Sequence, residues 1–223
     1  MSVSVATGLY GISFGALSVA AGLSFWQTVA LSALMFTGGS QFAFVGVVGG
    51  AGGLGALASV NATGASALAA ASLLGLRNGI YGMHNSLRLR ARGLWKVLAA
   101  QLTIDESTAV ASAQSESEEI RRGFWVTGVG VWLLWNLFTI VGAVVGERLG
   151  DPATWGLDGA AVAAFCGLLW PRLKAREAAA LALACAAITL VAVPFIPAGL
   201  PILLAAAAAA GYGFASERIG GGA

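Results

Sequence analysis

Residues 1–76 read MSVSVATGLYGISFGALSVAAGLSFWQTVALSALMFTGGSQFAFVGVVGGAGGLGALASVNATGASALAAASLLGL and contain no Asp, Glu, Lys, Arg or His; Arg77 is the first ionisable side chain other than tyrosine. A soluble domain covers much of its surface with charge. A stretch this long and this apolar instead reads as protein built for a bilayer. The whole chain agrees: 58% of residues are hydrophobic and 10% charged, with mean hydropathy +0.83, against about 25% charged in a typical soluble domain. At 223 residues and about 20 residues per crossing, the expected fold is an all-α polytopic membrane protein with about six to seven transmembrane helices. Residues 1–223 are expected to form a single transmembrane domain with little outside the membrane.

Outward from that stretch, the expected apolar segments are Val3–Leu23, Trp26–Val48, Leu54–Leu76, Trp125–Gly146, Gly159–Trp170, Ala178–Ile196 and Pro201–Phe214. Met1 is followed directly by Ser-Val-Ser-Val without a basic lead, so no cleavable signal peptide is expected. Cys166 and Cys185 lie in apolar segments and read as small buried side chains. The net charge is only +2, and its placement carries the information. Arg88, Arg90, Arg92 and Lys96 form a basic loop at about 84–96, Arg121 and Arg122 precede the fourth segment, and Arg172, Lys174 and Arg176 separate the fifth from the sixth. Positive charge marks the cytoplasmic side. All three clusters share that side only if Leu94–Ala113 enters and leaves on one face of the membrane, which is the favoured reading over a full crossing. The N-terminus is outside if the leading spans are intact and inside if the second segment is re-entrant; the residues leave both open.

Two places interrupt the apolar pattern. Thr37-Gly38-Gly39-Ser40-Gln41 breaks the second segment. Paired glycines permit backbone angles that other residues avoid, and broken helices at mid-membrane are how many transporters build substrate sites. Close helix packing through small residues explains the same glycines, and on this feature alone it is the favoured reading. The second interruption is Thr103-Ile104-Asp105-Glu106-Ser107. A carboxylate at the centre of a membrane helix costs about 2.5–3.5 kcal/mol on insertion scales, and successive helical side chains point about 100° apart. The pair therefore faces two environments if buried, or is simply solvated if this stretch is a cytoplasmic amphipathic one. Broken or re-entrant elements are expected near residues 37–42 and 97–110. Arg77 closes the uncharged region, where it either snorkels to headgroups or points inward to Asp105 or a substrate carboxylate. His84, the one histidine, flanks the basic loop and reads as a surface residue.

Other chemistries find no convincing motif. H-E-x-x-H and G-x-x-x-x-G-K-[ST] are lacking, and Gly11-Ile12-Ser13-Phe14-Gly15, which spells G-x-S-x-G, lies inside a long apolar segment rather than at a strand-to-helix elbow, so an enzyme or nucleotide-driven pump is not expected, nor any cofactor or metal. The basic cluster is short and interrupted, which fits topology and anionic headgroups better than nucleic acid. A faint internal echo links Gly22-Leu23-Ser24 and Met35-Phe36-Thr37-Gly38 to Gly156-Leu157-Asp158 and Ala164-Phe165-Cys166-Gly167. The spacings differ, and chance similarity is the better account of it.

Phe14-Gly15-Ala16, Gly22-Leu23-Ser24, Gly38-Gly39-Ser40-Gln41-Phe42, Leu76-Arg77 with Tyr81-Gly82, Leu102-Thr103-Ile104-Asp105-Glu106, Trp132/Trp135 with Gly142 and Gly146, and Gly156-Leu157-Asp158 with Phe165 occur in an order and spacing that resembles the AzlC family. That family supplies the large subunit of two-component branched-chain amino acid exporters of bacteria, and the resemblance runs from about Gly11 to Tyr212. The chain departs from the family pattern at Gly75-Leu76-Arg77-Asn78, where Asn-Leu-Arg-His is usual, and lacks the family's polar N-terminal lead. The resemblance implies a small AzlD-type membrane partner, a hydrophobic amino acid as substrate, and a multi-pass protein of the bacterial cytoplasmic membrane. On this reading Gly38, Gly39, Ser40, Gln41, Phe42, Arg77 and Trp135 bind the substrate, and Asp105 and Glu106 couple export to protons. The alternative is a non-transporting scaffold or regulatory subunit; it is distinguished by whether the polar residues of the broken elements face a common cavity. An intramembrane enzyme is a distant third.

Overall fold

The computed structural model describes residues 1–53, 61–149, 166, 169–196 and 200–220, and among these the regular structure is helical, without strands. The helices are α1 (Ser2–Ala20), α2 (Phe25–Leu34), α3 (Gly39–Gly50), α4 (Asn61–Leu89), α5 (Leu94–Gln101), α6 (Asp105–Ser112), α7 (Ser117–Leu149), α8 (Arg176–Ala192) and α9 (Leu200–Gly220), with a 3-10 turn at Trp170–Lys174. Two of them, α1 and the Ser117–Arg148 part of α7, are long and apolar enough to cross a membrane. Much of the outer surface is apolar: Trp26, Leu34, Leu87 and Leu190 all stand exposed, as they would against lipid rather than water.

The scaffold is the α1–α7 pair, and glycine makes it possible. A Cβ on Gly11 would lie 2.6 Å from the carbonyl oxygen of Trp135 and one on Gly8 2.7 Å from Leu134 Cβ; on Gly15 or Gly142 it would overlap the backbone of Thr139 or Ile12. Backbones meet directly here, so dispersion contacts replace the hydrophobic drive that lipid cannot supply. Ser4 faces Gly130, Gly8 faces Leu134, and Ala16 faces Gly146. The numbers rise together, so α1 and α7 run parallel.

The second apolar segment folds as a hairpin. A capping box opens α2, with Ser24 N–H donating to Gln27 Oε1 (2.8 Å) and Gln27 N–H to Ser24 Oγ (3.3 Å). The chain thereby turns back from the end of α1. Helix α2 stops at Leu34, residues 35–38 break the run with Gly38 at φ 60°, and α3 returns until Gly49 lies beside Ala21. Gln41 staples the arms, its Nε2 donating to Leu31 O (3.1 Å) and Ser32 O (3.2 Å) at the end of α2.

Leu94–Ser112 is a hairpin of the opposite sense. Trp95 packs on Trp125 and Leu102 on Gly128, so α5 runs with α7; Val110 lies at Gly123, so α6 runs back. The turn is Leu102–Ile104, held by Ser107, whose Oγ donates to Leu102 O (2.7 Å) and accepts from Ile104 N–H (3.1 Å). Gln41 and Ser107 each occupy the third position of their second arm. The break falls within 97–110, where the sequence reading expects a broken or re-entrant element.

Helix α4 departs from expectation. The sequence places a span boundary at Arg77, yet the helix continues unbroken to Leu89, because no proline intervenes and the polar step at Arg77 is met by a partner on α6. Arg88 therefore sits in the last turn of α4, Arg90 and Arg92 in the short connection to α5, and Lys96 on α5 itself. Arg77 meets Asp105 and Asn85 Nδ2 donates to Thr108 Oγ1 (2.9 Å), so α4 runs with α6 and against α7. The two hairpins thus enter from opposite ends, and they meet midway: Gln101 Nε2 donates to Ala33 O (2.8 Å) and Leu34 O (3.3 Å), and Trp132 Nε1 to Ala33 O (3.3 Å). Units α1–α3 and α4–α6 have the same order, a long helix and then a hairpin, in opposite directions, which is the inverted-repeat logic of many transporters. The repeat is thus not the echo seen in sequence, whose second half at 156–167 falls almost wholly outside the described residues. The cysteines also differ from expectation: Cys166 is exposed and Cys185 half-buried, with Sγ 3.5 Å from Ala205 O. An apolar side chain facing lipid needs no protein cover.

Candidate functional site

Where the hairpin turns meet lies a cavity of about 100 Å³. Gly38, Gly39 and Phe42 reach it from the first hairpin, Asp105 and Glu106 from the second, Arg77 from α4 and Trp135 from α7. Seven of the nine residues singled out from sequence are thus gathered around one space. Ser40 and Gln41 are not: both are buried, Ser40 Oγ toward Gly75 of α4 and Gln41 committed to stapling its hairpin.

The cavity's charge centre is an ion pair, Arg77 Nη1 to Asp105 Oδ2 at 2.9 Å. Each partner keeps roughly a third of its surface open, 34% for Arg77 and 26% for Asp105. Glu106 points the other way around its helix and accepts from Thr7 Oγ1 at 3.3 Å. The two acids therefore do face different surroundings: one pairs with a cation and the other with a hydroxyl of α1.

Both hairpins aim the start of their second arm at this cavity, where the first N–H groups of a helix lack intrahelical partners. The two ends differ. Helix α6 carries Asp105 and Glu106 in its own first turn, so its positive end already has anions. Helix α3 has no acid in its first turn and no side-chain cap. A Cβ at Gly39 would come within 2.9 Å of Arg77 Nη2, so glycine lets the guanidinium lie against that open end. An uncapped helix start beside an arginine is chemically suited to an anion.

Several buried polar atoms on the lining residues find no partner among the described residues: Thr37 Oγ1, Arg77 Nε, Asp105 Oδ1 and Trp135 Nε1. Buried polar groups are rarely left unpaired, and here donors and an acceptor are left open around one space. A ligand carrying both an anionic and a cationic end would satisfy them. Phe36, Phe42, Val131 and Trp135 supply apolar wall, and Phe14 packs behind it, with Phe14–Phe42 and Phe42–Trp135 edge-on at 5.7 and 6.1 Å. His84 stays outside, 3.4 Å from Ser112 Oγ on an exposed face. Among the described residues no group of His, Cys, Asp and Glu is placed to hold a metal.

Sequence reading missed Thr7 and Tyr10 of α1, both at the cavity. Their signal was present but weak: two polar side chains three apart, hence on one helix face, in an otherwise apolar segment.

Two hairpins opposed around an ion pair, within a bundle whose exterior is apolar, fit the class of polytopic membrane proteins. The chain belongs to the AzlC family: the family pattern described as AzlC protein matches residues 2–149, which span α1 through α7 and every residue of the cavity. Membership gives it a role related to branched-chain amino acid transport. Comparison with curated proteins and with solved structures gives no match.

Proposed function

We propose that the chain is the large subunit of a two-component exporter of branched-chain and other hydrophobic amino acids, a multi-pass protein of the bacterial cytoplasmic membrane that works with a small AzlD-type subunit. The observation that carries this reading is the cavity at the meeting hairpin turns, with an anion pole at Arg77 and the start of α3 and a cation pole at Asp105. A zwitterion is complementary to both poles. Polar residues of both broken elements share this one space, which favours transport over the scaffold reading.

Threading follows from the helix directions and positive charge. Arg88, Arg90, Arg92, Arg121 and Arg122 cluster at the end where α4 finishes and α7 begins, and this end is cytoplasmic. Because α1 runs parallel to α7, the N-terminus is also cytoplasmic. Helices α1, α4 and α7 cross fully, α2–α3 enters from outside and α5–α6 from the cytoplasm. Helices α8 and α9 add two crossings; most of the segment expected at 159–170 lies outside the described residues.

The substrate carboxylate binds at the first turn of α3 and Arg77; the ammonium takes Asp105, so the zwitterion inserts into the resting ion pair. Arg77, Asp105 and Glu106 together carry a net charge of minus one, and a zwitterion adds none. A charge uncompensated at mid-membrane is costly. A proton on Glu106 neutralises the site; export by proton exchange, with Glu106 and its Thr7 partner loading the proton in the state that has released the amino acid, is the coupling in this reading. Efflux of leucine, isoleucine, valine and methionine from preloaded cells, at two external pH values and with and without the small subunit, tests the reading. Expected is efflux that needs both chains and responds to pH. Failure to export any of the four, with both proteins in the membrane, overturns it.

A further inference from the structure

Phe42 lines two spaces, not one. On one side is the central cavity; on the other is a groove of about 610 Å³ that runs along Gly46, Val47 and Gly50 of α3 and is closed by Leu74 of α4, Val193 and Ile202. The groove begins at the start of α3, beside the anion pole, and rises toward the extracellular end of the hairpin. Apart from Thr189 at one wall its side chains are apolar.

The two volumes set a constraint. A cavity of about 150 Å³ takes one benzene, so the central cavity of about 100 Å³ holds the polar end of an amino acid but not a leucine entire. The side chain needs further space, and the groove beyond Phe42 supplies it. We infer that the groove along α3 is the side-chain subsite and the outer half of the export path, taking aliphatic and aromatic side chains once Phe42 swings aside, while the zwitterionic end stays on Arg77 and Asp105. This rests on the transport reading and deepens it. It assigns selectivity to α3, α8 and α9, and α8 and α9 lie beyond the residues matched by the family pattern.

Gly46 offers a clean test. It is exposed to the groove, and a Cβ built there meets no atom within 4 Å, so a larger side chain fills the groove without disturbing the fold. Val193→Trp narrows it from the opposite wall. Binding of labelled leucine and labelled alanine is measured on membranes holding the full chain with its co-expressed small subunit, for wild type, Gly46→Leu and Val193→Trp. Wild type is expected to prefer leucine by about tenfold or more, from burial of its extra carbons. Both variants are expected to bring that preference within about twofold, with alanine binding unchanged. Undiminished leucine preference in both variants overturns the inference and leaves lipid as the groove's occupant. Binding of neither amino acid by wild type overturns the transport reading, and the subsite with it.

Discussion

Asp105→Asn removes one half of the ion pair and leaves Arg77 facing a neutral amide. Loss of one partner from a fully buried pair costs about 3–5 kcal/mol, whereas exposed pairs are worth about 0–1 kcal/mol. Arg77 and Asp105 retain 34% and 26% of their surface, which weights the cost toward the buried limit, at about 2–3 kcal/mol on interpolating between those values. At about 2–4 °C per kcal/mol for a chain of this size, the melting temperature in detergent falls by roughly 5–10 °C. Arg77→Gln is expected to cost a similar amount, since it strands the carboxylate. The double variant replaces both charges together and is expected to recover at least about 1 kcal/mol relative to the sum of the singles. The assay is the fraction remaining monodisperse on size exclusion after heating. Singles within about 1 °C of wild type, or a strictly additive double, would refute the claim that the two side chains act as a pair.

Three further outcomes follow from the same geometry. Gly142→Ala places a methyl on the backbone of Ile12 and should destabilise by about 1–3 kcal/mol, whereas Gly79→Ala, with no atom within 4 Å, should be neutral or slightly stabilising in the same melting assay. Gln101→Leu removes the amide that joins the hairpins, so a Thr37→Cys reporter should react faster with an aqueous thiol reagent; an unchanged rate would mean that the tie does not hold the turns closed. With Cys166 and Cys185 replaced by serine, Ala20→Cys should label with an impermeant maleimide in intact cells, and Arg92→Cys only after permeabilisation; the reverse pattern would invert the threading.

How much of this was legible in sequence depends on whether a residue's role is local. The breaks were legible, because Gly38-Gly39 and Asp105-Glu106 are each anomalous in an apolar run. The pairing of Arg77 with Asp105 was open as an option, since a cation and an anion in charge-poor surroundings have few other partners. The continuation of α4 past Arg77 was not legible: an arginine looks like a boundary until its partner on another element is known. Ser40 and Gln41 show the converse. Polar side chains at a half-helix start suit a ligand, but they equally suit the orphan carbonyls of the preceding arm, and Gln41 takes the latter. Helix direction was out of reach altogether. That α1 and α7 run parallel emerges only from which glycine faces which backbone, and the proposed side of the N-terminus rests on it.

The central claim is that a zwitterionic amino acid is carried at the meeting point of the two hairpins. Exchange of labelled leucine in proteoliposomes containing the chain with its small subunit tests it most directly, comparing wild type with Asp105→Asn at matched protein content. The account predicts exchange by wild type and loss of about tenfold or more in the variant; equal exchange by the two would contradict it.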